Sequence, residues 1–178
     1  MVTVTDKTRR IANGVEARVV KDVVSRSGEP VEVTEDWYAQ DADGNLWYLG
    51  EKTAEYEGGK VVSREGSWEA GVDGAEPGIV LPTDPRQGMA YRQEFYAGQA
   101  EDRGEVLRTG EQAQVPFGHF TDVVATRDTT PLEPRVVEYK FYARGVGPVL
   151  TLDVSGASGR EELVAFGEGG RTDAPPQR

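Results

Sequence analysis

A chain of 178 residues with 37% hydrophobic and 29% charged residues has the length and apolar content to bury a core as one domain. Its formal charge of −11 repels phosphate backbones, so no nucleic acid is expected as a partner, and the absence of cysteine removes disulfides, thiolate nucleophiles, iron–sulfur clusters and the usual structural zinc sites. No apolar run approaches the roughly 18 residues a membrane span needs, so none is expected.

The chain opens on Met1, Val2, Thr3, Val4 and Thr5, which is not the basic and then apolar pattern of an export signal. Residues 15–24 alternate as a strand does, and Ser27, Gly28, Glu29 and Pro30 turn the chain into a second strand over 31–38. Asp43 and Gly44 then form a hairpin turn between two aromatic runs, Trp37 with Tyr38 and Trp47 with Tyr48. Gly58 and Gly59 mark the next reversal, into Val61, Val62 and the Gly66, Ser67, Trp68 run.

Residues 71–88 are longer than the ~12–15 residues at which structureless loops become uncommon. Ile79, Val80 and Leu81 within them gain nothing from water, so an ordered cap loop over one mouth of a barrel is expected there. Further strands are expected over 89–96, 105–107, 112–116, 117–126, 136–143, 149–154 and 161–166. The tail 167–178 has no apolar anchor beyond one alanine and is expected to be disordered.

Short strands joined by local reversals favour antiparallel pairing, and no stretch shows helical periodicity. The 22 glycines and 10 prolines suit the many turns. The expected fold is all-β: an antiparallel meander over 1–166 that forms an up-and-down barrel or a strongly curved open sheet.

Asp41, Asp43 and Asn45 place oxygens at alternating positions, as the start of a calcium loop does. The pattern then departs from that loop, with Leu46 where a glycine and Lys52 where a bidentate glutamate belong. The same residues also satisfy a turn by bonding nearby amides, and that reading is favoured over calcium. His119, the single histidine, has no nucleophile motif beside it, and adjacent acids such as Glu101 with Asp102 point to opposite faces of a strand, so no enzyme is expected.

The segments around Trp37, Trp47, Gly66 to Gly71, Pro77 to Ile79, Tyr91 to Glu94 and Ala100 to Asp102 resemble a family of uncharacterised bacterial envelope proteins, secreted or lipoprotein in type. Leu132, Glu133 and Pro134, the run Val137 to Ala143, and Gly145 to Gly147 carry the same resemblance. It implies an exported, extracytoplasmic β-rich protein without an established activity. It also implies a leader and a proline-rich strand upstream of the segment that begins at Val2.

The function expected is an extracytoplasmic barrel-like module that binds a small apolar, amphipathic or lipid-like ligand. Trp68, Tyr91, Arg92, Glu94 and Ile79 are the candidate ligand-binding residues, as aromatics and a few polar groups near the cap loop. The alternative is a structural or assembly protein of the envelope acting through protein contacts, which would show an exposed apolar patch in place of a closed cavity.

Overall fold

The structure, a computed structural model, describes residues 1–155 and 159–167. Every regular element among them is a β-strand, and the strands pair antiparallel, as the alternating patterns and local turns require. The chain groups into two compact units, Met1–Thr83 with Arg92–Asp102, and Asp84–Tyr91 with the chain from Arg103 onward. No linker-like change of composition within 1–166 marks this division.

In the first unit β1 (Val2–Arg10), β2 (Glu16–Arg26), β3 (Glu29–Gln40) and β4 (Leu46–Glu57) follow one another as hairpin neighbours. Ser27 and Gly28, then Gly58 and Gly59, supply the paired positive φ angles that two-residue hairpin turns demand. Two short strands, β5 (Lys60–Ser63) and β6 (Trp68–Glu69), pair with β4 away from the main path. The path continues through β7 (Glu76–Leu81). Ile11, Ala17, Val19, Trp37, Leu49 and Trp68 form the centre of this unit's core.

The segment expected as a cap loop therefore supplies a strand. Within it, β7 pairs with β4, Ile79 opposite Trp47 and Gly78 opposite Tyr48. The sheet ladder satisfies the backbone of this apolar run, which a loop would have to leave to water. The expected strand over 89–96 is divided as well. β8 (Ala90–Arg92) lies at an edge of the second sheet, and β9 (Glu94–Phe95) pairs with β7 in the first.

The second unit carries β10 (Arg103–Val115), β11 (Gly118–Thr129), β12 (Val137–Ala143), β13 (Gly147–Asp153) and β14 (Arg160–Glu162), in the order β14-β13-β12-β11-β10-β8. The two strands expected over 105–107 and 112–116 are one, β10, irregular in register between Val106 and Ala113. Phe117, Phe120, Val123, Val149 and Leu150 lie at its core, with Leu163 packed against them. The strand expected over 161–166 ends early, but Leu163 still bonds across, its amide to Val149 and its carbonyl to the Phe117 amide.

Neither sheet is closed or strongly curled among the described residues. One path ends at β1 and β9, the other at β14 and β8, and no pairing joins the ends. Closure needs a first and a last strand of matched length and register, whereas β1 spans nine residues and β9 two. The expected tail lies, from residue 168 on, outside the described residues. No helix of the described residues is long and apolar enough to cross a membrane.

Candidate functional site

The Asp41 loop is built to hold itself. Asp41 Oδ1 accepts hydrogen bonds from the amides of Asp43 and Asn45 at 3.0 and 2.9 Å. Its Oδ2 accepts from Asn45 Nδ2 at 2.9 Å and from Trp47 Nε1 at 2.8 Å. The indole bond, followed by those from Asn45, lowers the Asp41 pKa to about 2. Asn45 Oδ1 accepts from the Thr83 amide at 3.0 Å. Of the three residues weighed as calcium ligands, Asp41 and Asn45 thus turn their oxygens inward. Among the described residues no group of three or more His, Cys, Asp or Glu is placed to hold a metal ion. Asp41→Ala is expected to free the Asp43 and Asn45 amides, raising their hydrogen-exchange rates about tenfold while distant strands keep theirs.

The candidate ligand residues do not form one group. Trp68 is core, 5% exposed, and its Nε1 donates to Glu94 Oε2 at 2.9 Å. Here β6 and β9 bring together an indole and a buried carboxyl that stand 26 residues apart in the chain. Arg92 is exposed, paired with Glu76, and its guanidinium lies 4.9 Å from the Phe95 ring centre. Ile79 is half-buried on β7. Tyr91 belongs to the other unit, where its ring lies over Gly104 so closely that a Cβ at that glycine would sit 2.6 Å from it. Among the described residues the buried Tyr91 hydroxyl has no hydrogen-bond partner.

A further polar cluster lies on one face of β2, β3 and β4, where Thr34 and Thr53 are buried and Tyr48 packs against the core. Register places Asp22, Thr34 and Thr53 side by side, then Val20, Asp36 and Glu51, then Arg18, Tyr38 and Tyr48. Tyr48 and Glu51 share that face although they are three apart, because a bulge between them shifts the alternation. Tyr48 Oη donates to Asp36 Oδ1 at 2.7 Å, and its ring stacks on Tyr38 at 4.9 Å. Thr34 and Thr53 join hydroxyls at 2.5 Å, and Thr53 Oγ1 donates to Glu51 Oε2 at 3.4 Å.

Both carboxyls titrate high. Burial raises Asp36 to about 6, with the charges of Asp22 and Glu32 adding and the Tyr48 bond opposing. Burial and then the charge of Asp36 raise Glu51 to about 7, against bonds from Tyr48 and Thr53. The signal for this cluster in the sequence is the polar alternate set Glu32, Thr34, Asp36 on a strand whose other face carries Val33 and Trp37.

The second unit has its own polar row. Thr126 Oγ1 donates to Asp128 Oδ1 at 2.8 Å, and Lys140 Nζ lies 3.1 Å from Asp128 and 3.3 Å from Glu138. Burial works against the Lys140 charge, yet Tyr142, Asp128 and Glu138 hold the ammonium above its ordinary value. His119 lies exposed on β11, opposite Gln114. Comparison with family models, with curated proteins and with solved structures gives no match to this chain.

Proposed function

We propose that the protein acts through protein contacts, by taking up an extended acidic segment of another chain along β1. Among the described residues no strand pairs with the second edge of β1, and that edge carries this reading. Met1 and Val23 exchange both backbone bonds, the Met1 amine to the Val23 carbonyl at 2.5 Å and the Val23 amide to the Met1 carbonyl at 3.0 Å. Alternation along an antiparallel ladder then turns the backbone N–H and C=O of Val2 and Val4 away from β2. Their side chains are 63% and 71% exposed. An edge with unused backbone groups and exposed valines favours strand addition.

Charge selects the occupant. β1 carries Lys7 and Arg10 against Asp6, with Arg9 already paired to Glu69, which leaves a net basic strand in a chain of net charge −11. Copies of the chain repel one another overall, so an acidic segment of a different chain fits better than a second copy. The irregular register between Val4 and Thr8 limits the regular edge to the first residues of the strand. An envelope location for this contact rests on the family resemblance. A small apolar ligand has less support, because a barrel lumen requires a closed sheet.

The test uses a labelled peptide of alternating valine and glutamate, with binding followed by fluorescence anisotropy at low and high salt. Binding that weakens with salt, and at least tenfold in Val4→Pro, is expected, because proline removes one outward N–H. Equal binding by Val4→Pro, or none at millimolar peptide, would overturn the proposal. So would native mass spectrometry of the intact protein showing a small bound mass that leaves on denaturation, an outcome that returns the ligand-binding reading.

A further inference from the structure

We infer that the face of β3 and β4 carrying Asp36 and Glu51 is a proton-gated clasp: these two residues, directly opposed in register, let the strands stay paired while at least one carboxyl is protonated and drive them apart once both ionise. The inference is independent of what β1 binds.

It stands first on register. Like charges on directly opposed residues of an antiparallel pair are destabilising, and Asp36 and Glu51 are such a pair. The rows beside them add carboxylates, with Asp22 on β2, Glu32 on β3 and Glu55 on β4. The opposite face is arranged differently, since Lys21, Glu35 and Lys52 alternate in sign across the same three strands. The acidic face is therefore a specific arrangement of this sheet.

The surrounding charges offer these two carboxyls little relief. Arg18, one row away, donates to the Thr5 carbonyl at 3.2 Å. On the far side the turn between β5 and β6 brings Gly66 close, its Cβ position 3.9 Å from Glu51 Oε1, and the neighbouring Arg64 and Glu65 are exposed and of opposite sign. From β6, Trp68 is neutral and Glu69 pairs with Arg9 at 2.6 Å. Glu76 of β7 pairs with Arg92, and Glu94 of β9 is bonded by Trp68. The relief comes from hydroxyls, Tyr48 to Asp36 and also to Glu51, and Thr53 to Glu51.

The direction follows from linkage. Both carboxyls titrate above their ordinary range, at about 6 and about 7, so the folded unit keeps protons that the unfolded chain has released. The contribution of these two groups is then full below about pH 4, is lost as pH rises to about 7, and is level above that.

Thermal unfolding of the whole chain at pH 4.5 and pH 8 is the first test. The midpoint is expected to fall by about 5 °C or more between them, and Asp36→Asn with Glu51→Gln is expected to remove over half of that fall and to melt higher than the wild type at pH 8. A double variant with an unchanged pH slope would overturn the inference. Carbon-13 NMR of the wild-type carboxyls decides the matter even if the variant does not fold. Resonances of Asp36 and Glu51 with midpoints of about 6 to 7 support the clasp, and midpoints of about 4 refute it. Amide exchange locates the effect. Protection in β3 and β4 should drop at least tenfold from pH 5 to pH 8 relative to β11 and β12, and an equal change in both places would show general acidity instead of a clasp.

Discussion

Trp68→Ala is expected to destabilise the first unit by about 3–5 kcal/mol, the cost of emptying a large aromatic site in a core. Trp68 packs with Trp37, Leu49 and Ala70, and meets the Tyr48 ring edge-on at 5.5 Å. Truncation also takes a hydrogen bond from Glu94, a carboxyl that is itself buried. Trp68→Phe separates the two contributions, since it keeps much of the ring but not the indole N–H, and a loss of about 1–3 kcal/mol is expected. Urea unfolding followed by circular dichroism measures both, with the midpoint shift read at constant slope. A Trp68→Ala protein of wild-type stability would show that this side chain is free for a ligand, and would restore the lumen reading.

Gly50→Ala is expected to cost at least about 3 kcal/mol, for a different reason. Gly50 sits in the β4 bulge at φ +130°, a conformation that side-chain-bearing residues rarely adopt. A Cβ there would lie 2.3 Å from the Trp68 carbonyl oxygen, 2.9 Å from Glu69 Cα and 3.1 Å from Trp37 Cε3. Two of those atoms are backbone, so the clash is relieved only by moving β6 off β4, to which Gly50 and Glu69 are paired. Gly14→Ala is the control. Its φ is +91° but no atom of the described residues lies within 4 Å of its Cβ position, and only the backbone penalty of about 1–2 kcal/mol is expected. Equal losses at the two glycines would refute the claim that close approach, and not φ, fixes Gly50.

The two substitutions explain why the Trp68 region was legible only in part. A tryptophan after a turn glycine identifies a strand start, but whether that ring faces a lumen or a core depends on what crosses it. The indole is covered by Tyr48 of β4, 20 positions earlier, and by Glu94 on β9. The bulge at Leu49 and Gly50 adds to this. It puts Tyr48 and Glu51 on one face, where strict alternation would separate them, so the carboxyl cluster is hidden from a period-two reading. Asp41 is the contrasting case. Three of the donors to its carboxyl come from Asp43 and Asn45 and the fourth from Trp47, all within six positions, and the turn was favoured from those residues alone.

Local chemistry in the sequence determined that this chain is all-β and antiparallel, and that the Ser27–Gly28, Asp43–Gly44 and Gly58–Gly59 turns reverse it, because alternation and turn residues act over a few residues. Only the tertiary structure decided that the 76–81 run joins β4 as a strand, that 89–96 is shared between two sheets, and that both sheets stay open. Those outcomes depend on register between segments far apart in the chain, and a pattern of period two tells a side chain that it alternates but not which neighbour will cover it.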